Sequence, residues 1–293
     1  MRVTNQMMVL QQIAGLQTNI DAINKTQQQV SSGKRLTAAS DDPVAAANIM
    51  SDASKLRALA QYKTNVQRAT DRVSTEDSTL QQLTNLLTRA QEIAVQQGSS
   101  TATSETRAGA VSEVQGLLSS AVELGNTKYG DEYLFGGDAA TTEPFSASGM
   151  TYTSTNQTGG RTIAIDEGET MNIAHTGTQV FVDTGALASI KQLGDALNAN
   201  DQTGVQNALV SLQSALSNVQ GVVGDVGARE NQLSMTSTAI DDETNTVTTN
   251  KSNLEDVDQA AAITELSTRQ TAYQAALLAV SKSTDMTLTD YLK

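Results

Sequence analysis

Val9, Ile13, Leu16, Ile20, Ile23, Gln27 and Val30 recur at alternating intervals of four and three residues. That interval keeps side chains on one face of a helix that winds around another helix, so the segment needs a helical partner. The other end of the chain repeats the arithmetic with Ile263, Leu266, Gln270, Tyr273, Leu277 and Val280. A single amphipathic pair of this kind is marginal in water. Each terminal stripe is therefore expected to be buried against the other end, against a neighbouring subunit, or both. The candidate assembly interface is Val9, Ile13, Leu16, Ile20, Ile23 and Val30 together with Ile263, Leu266, Tyr273, Leu277 and Val280.

Two longer stripes lie between them. The first reads Leu59, Tyr62, Val66, Ala69, Val73, Glu76, Leu80, Leu83, Leu87, Ala90, Ala94, and only Glu76 interrupts it. Ser40-Asp41-Asp42-Pro43 precedes it as a helix start, with Asp42 able to cap free amides and Pro43 suited to the first helical position. A helix from Pro43 to Gln97, ending at Gly98-Ser99-Ser100, would be on the order of 80 Å long at ~1.5 Å per residue. The second stripe runs from Val205 through Leu212, Val219, Val226, Leu233 and Ile240 to Val247. Gly221, Gly224 and Gly227 fall inside it and weaken the helix by roughly 1 kcal/mol each. They serve a close helix approach or a bend, or are tolerated weak spots. Shorter helices are expected from about Ser104 to Thr127 and around Leu187, Ile190, Leu193 and Leu197. The polar seam residues Gln27, Glu76, Glu230 and Gln270 either fix register or mark places where the seam is exposed.

From about Lys128 to Gly185 the periodicity changes. Met150–Thr153, Thr162–Ile165 and Gln179–Val182 alternate with period two between glycine signals, which predicts short strands. Tyr and Phe are concentrated there, as a small separate core requires. The expected fold is mainly α: an elongated antiparallel helical bundle or coiled coil built from both chain ends, with a small inserted β-rich domain. Residues 1–127 and 186–293 form the helical part and 128–185 the insertion.

Composition narrows the function. Aromatic residues make up 3% of the chain and Trp is absent, which suits a thin bundle with small and aliphatic seams better than a thick enzyme core. The formal net charge of −13 argues against nucleic acid and anionic membranes as partners. No apolar run is long enough for membrane insertion. The N-terminus Met1–Met8 lacks the apolar core of a cleaved signal peptide, so an export route without one is expected.

Chemistry is hard to build from these residues. There is no Cys, and His175 is the one His, so neither a thiolate nor a His-based triad can be assembled, and a zinc site would need several carboxylates placed by the fold. His175 is expected in a structural or surface role. Asp241-Asp242-Glu243 occupy consecutive helical positions that point in different directions and read as a solvated face. Asp166-Glu167-Gly168-Glu169 lacks calcium-loop spacing and reads as a turn. No cofactor, no metal and no catalytic residue is expected.

Ser31-Ser32-Gly33-Lys34-Arg35-Leu36, followed by Ser40-Asp41-Asp42-Pro43-Val44-Ala45-Ala46-Ala47, resembles the N-terminal signature of the flagellin family. Ala272–Lys282 resembles that family's terminal helix. Pro43 after the paired Asp, Gly130–Gly137, Val226–Leu233 and the end Met286–Lys293 look like members at the hook–filament junction rather than filament-forming ones. The resemblance implies an extracellular structural subunit that joins hook to filament by helical self-assembly, its terminal helices in an inner coiled coil and its β insertion facing outward. It implies as partners further copies of the chain, the first junction protein, flagellin and a flagellar export chaperone. A short flagellin that forms the filament is the alternative within the family. An exported adhesin or enzyme on a coiled-coil stalk is the alternative outside it.

Overall fold

The computed structural model describes the backbone of residues 5–155 and 157–291, and the side chains in that range save those of residues 5, 6, 8, 9 and 283–291. Six helices carry most of the chain: α1 (Asn5–Ser32), α2 (Pro43–Gln97), α3 (Ser104–Gly125), α4 (Ala186–Asn198), α5 (Gln202–Glu255) and α6 (Gln259–Tyr291). Six short strands lie between α3 and α4: β1 (Lys128–Tyr129), β2 (Glu132–Tyr133), β3 (Phe145–Ser148), β4 (Thr151–Ser154), β5 (Thr162–Asp166) and β6 (Glu169–Asn172). They pair as three antiparallel hairpins, β1 with β2, β3 with β4 and β5 with β6. The mainly helical class with a small strand-rich insertion is thus what the periodicities predict.

The termini of α2 are written in its flanking residues. Asp42 Oδ1 accepts the Ala45 amide at 3.0 Å, at the first turn that Pro43 opens. At the far end the Gln97 carbonyl accepts Arg107 Nε at 3.1 Å, and the Gly98 carbonyl accepts Gln202 Nε2 at 3.1 Å. Those side chains satisfy carbonyls the helix leaves free at its C-terminus. Arg107, itself buried, also donates to Asn200 Oδ1 at 2.8 Å, so one guanidinium ties the α2–α3 turn to the α4–α5 turn.

The chain divides into two compact units: Met1–Ala58 with Glu243–Lys293, and Leu59–Asp242. The division cuts through both long helices rather than falling at the edges of the strand-rich stretch. Nearly all the large buried side chains belong to the second unit. Val66, Ala69, Val73, Leu80, Leu83, Leu87, Ala90 and Ala94 of α2 are buried there, on the stripe that heptad spacing picks out. Val205, Leu212, Val219, Val226, Leu233 and Ile240 do the same for α5. Lys63 of α2 pairs with Asp241 of α5, so the carboxylate run is a solvated, ion-paired face.

Phe135, Phe145 and Phe181 form the aromatic centre of the second unit. The rings of Phe135 and Phe181 meet edge to face at 5.2 Å, and Phe145 lies 5.4 Å from Phe181. A Cβ on Gly125 or Gly177 would stand 2.6 or 2.7 Å from the Phe145 ring, so both glycines make room for it. One strand expectation fails here. Thr178–Val182 is a π-helical turn, closed by the Asp183 amide on the Thr178 carbonyl at 2.9 Å. Val180 and Phe181 are adjacent and both fully buried, which a strand with alternating faces cannot arrange.

A Cβ at Gly221, Gly224 or Gly227 would meet nothing within 4 Å. These glycines do not serve a close helix approach. Gly221→Ala and Gly224→Ala are each expected to stabilise the chain by about 1 kcal/mol. A rise in the urea midpoint checks this, and a fall would contradict it.

Candidate assembly interface

In the first unit α1 packs against α6. Gln12, Leu16, Asn19, Ile23, Thr26 and Val30 of α1 are half-buried or buried, again at alternating four and three, with Ala22 and Gln29 half-buried beside them. On α6 they are Ala262, Leu266, Arg269, Tyr273, Ala276 and Val280. Leu16, Ile23, Val30, Leu266, Tyr273 and Val280 of the candidate interface therefore lie in the seam within the chain. The remaining members sit one position further round each helix. Ile13 is 47% exposed, Ile20 38%, Ile263 52% and Leu277 43%. The Val9 side chain and the Met286–Lys293 side chains lie outside those described.

Each terminal helix therefore carries two adjacent stripes. One holds alternate large apolar residues and small or polar ones, and it is shared by α1 and α6. The other holds Ile13 and Ile20 on α1, and Ile263 and Leu277 on α6, with Leu10 and Leu278 exposed beside them. Large apolar side chains left partly exposed along one line of a helix mark a contact surface. Fully burying such a side chain from water is worth about 1.5–3 kcal/mol, and these, about half covered already, stand to gain roughly half of that.

The Ser31–Pro43 loop braces this helix pair. Gly33 takes φ 72°, a conformation that favours glycine, and its carbonyl accepts the Val257 amide at 3.0 Å. The Arg35 amide donates to the Glu255 carbonyl at 2.7 Å, and its guanidinium donates to the Leu254 carbonyl at 2.9 Å. Lys34 pairs with Glu255. The contact raises the pKa of Lys34 and holds that of Glu255 down. The turn between α1 and α2 is thereby fastened to the break between α5 and α6.

Asp41 closes the loop onto α1. Its carboxylate accepts Lys25 Nζ at 2.6 Å, the Thr37 hydroxyl at 3.0 Å and the Thr37 and Ala38 amides at 3.2 Å. The lysine, then the threonine hydroxyl and amide, draw its pKa down from 3.8 to about 2. A depressed carboxyl contributes order that is present above its ordinary value and is lost as pH falls through its folded one. The Thr37 and Ala38 amide resonances are therefore expected to titrate with a midpoint near 2, and a midpoint near 3.8 would contradict the contact.

In the second unit, Glu76 does not merely break a stripe. It is 1% exposed, and its Oε1 lies 2.6 Å from His175 Nδ1. Arg229 Nη2 lies 3.1 Å from His175 Nε2. A guanidinium only donates, so Nε2 must accept and Nδ1 must carry the proton that Glu76 receives. The imidazole thus relays between a buried carboxylate on α2 and a guanidinium on α5. It pins the segment after β6 to both long helices. His175 is structural, and nothing about Arg229 beyond its place in Val226–Leu233 announces the role. The available signals were a lone His and one acid in an apolar stripe.

Among the described residues no three His, Asp or Glu side chains stand where they could hold a metal ion, and no helix is long and apolar enough to cross a membrane. Asp166 and Glu169 flank the β5–β6 turn.

A long-helix chain whose two ends pair and present a second apolar stripe is the architecture of a helical axial subunit. The bacterial flagellin N-terminal helical region matches residues 3–140 and the C-terminal helical region matches residues 209–292, and the chain belongs to the bacterial flagellin family. It is 28% identical to flagellar hook-associated protein 3 of Escherichia coli (strain K12), over 98% of each chain. The protein of the same name from Salmonella typhimurium is also 28% identical, over 94% of each. The solved structure of flagellar hook-associated protein 3 from Legionella pneumophila shares the fold. Its TM-score is 0.64 at 16% identity, over 70% of this chain and 98% of that one.

Proposed function

We propose that the chain is a structural subunit of the hook–filament junction, which joins the hook to the flagellin filament by helical assembly through its terminal helices. The observation that carries this is the second apolar stripe on α1 and α6, which the chain leaves uncovered. Near full-length similarity to hook-associated protein 3 supports the junction site. A head-to-tail contact between identical subunits repeats without closing, which suits a tube. The occupant of the stripe is another axial subunit: a further copy, the first junction protein on the hook side, or flagellin on the filament side. Export proceeds through the flagellar apparatus without a cleaved signal peptide, with an export chaperone at the C-terminal region. The β-rich insertion faces outward. The chain has a mechanical role and no catalytic one.

Deleting the gene tests the reading. The expected result is flagellin secreted unpolymerised into the medium, with tagged protein restored as a band at the hook tip. Label along the whole filament would make the chain a filament-forming flagellin instead.

A further inference from the structure

The second unit holds a cleft of about 390 Å³ where α2 meets the β1–β2 hairpin and β5. Arg68, Arg72 and Arg161 converge on it, against Asp131 and Glu132, with Tyr129 and Ile163 among its apolar walls. In a chain of net charge −13 this is an unusual concentration of cations.

Arg72 is 5% exposed, so its guanidinium is far more buried than a charged group ordinarily is. One terminal nitrogen donates to the Leu134 carbonyl at 2.5 Å, and the carbon of the fork lies 6.0 Å from the Tyr129 ring centroid. Its Nε is buried with no partner. A buried unpaired donor on a cation is costly and calls for an occupant. The acids near it do not supply one: Glu132 is engaged by Arg161, Glu76 by His175, and Asp131 is exposed at the rim. Arg68, one turn earlier on the same helix face, has no ion-pair partner among the described residues. Burial, with Arg161 adding to it, lowers the pKa of Arg72 against the opposing pull of Glu132 and Glu76.

We propose that this cleft binds a single compact oxyanion, a carboxylate or phosphate group, held by Arg68 and Arg72. Guanidinium forks match both groups in shape and charge. Arg161 keeps Glu132 from filling the place. The apolar walls lower the local dielectric and strengthen each charge-assisted bond. Such a group has two sources: a free anion in the medium, or an Asp or Glu side chain of an adjoining copy. The inference is independent of where in the flagellum the chain sits.

The test uses the full chain and inorganic phosphate, at ionic strength held constant with sodium chloride. Thermal unfolding is expected to shift upward and saturate with phosphate. Arg68→Gln removes an exposed, unpaired side chain and leaves the fold intact, and it is expected to weaken the apparent affinity about tenfold. Arg72→Lys keeps the charge but loses the fork and should weaken it similarly. No saturable shift, or the same shift in Arg68→Gln as in the unchanged chain, would overturn the proposal. Phosphate that slows subunit addition to hooks, in the unchanged chain and not in Arg68→Gln, assigns the group to a neighbouring copy. Saturable binding with addition unaffected assigns it to a free anion.

Discussion

Glu76→Ala is expected to cost about 3–5 kcal/mol of stability, the loss typical when one member of a buried charged set is removed. The carboxylate is fully enclosed, and it is the acceptor that orients the His175 ring. Without it the imidazole loses its Nδ1 partner, and Arg229, one of whose nitrogens is already buried without a partner, is left without a counter-charge. Glu76→Gln keeps an acceptor and should lose less than half as much. Urea unfolding of the chain reads both. A loss below about 1 kcal/mol for the alanine variant would mean that the relay contributes nothing beyond its packing.

The second large effect separates assembly from folding. Ile20 and Leu277 are exposed in the lone subunit, so Ile20→Asp with Leu277→Asp should change its unfolding free energy by no more than about 0.5 kcal/mol per site. The same pair should weaken addition to the growing structure at least a hundredfold. Two apolar contacts are lost from side chains already more than half covered, and two charges must be desolvated in their place, which is the larger part of the cost. Sedimentation of the secreted protein against its amount on isolated hooks measures the difference. Destabilisation of the lone subunit with normal assembly would reverse the assignment.

Much of this architecture was legible because it rests on period and punctuation. Asp42-Pro43 and Gly98 bound α2, and the stripe from Leu59 to Ala94 is its buried face. On the terminal helices Leu16, Ile23, Val30, Leu266, Tyr273 and Val280 lie in the seam, while Ile13, Ile20, Ile263 and Leu277 sit one position round from it. Counting large apolar residues selects both sets, because the seam alternates Leu16, Ile23 and Val30 with Gln12, Asn19 and Thr26 on α1, and Leu266, Tyr273 and Val280 with Ala262, Arg269 and Ala276 on α6. The small and polar half of the seam has no hydrophobic signature, so a heptad count fills those places with the apolar residues next to them. The π-helical turn at Thr178–Val182 failed for a related reason, since four residues of apparent alternation cannot distinguish a strand from a turn packed around Phe181. The Glu76–His175–Arg229 relay and the arginine cleft join residues from distant parts of the chain, and no spacing rule connects them. Only their oddity in context, an acid in an apolar stripe and a lone His, pointed at the first.

The chain has no cysteine, so a thiol placed at Ile20 or Leu277 is the sole reactive sulfur and reports directly on the stripe. In the secreted subunit both Ile20→Cys and Leu277→Cys should be alkylated at the rate of an exposed thiol. In assembled hooks the account predicts alkylation at least about tenfold slower at both positions, as water and reagent are excluded from a buried contact. Equal rates in the free and assembled protein would contradict it.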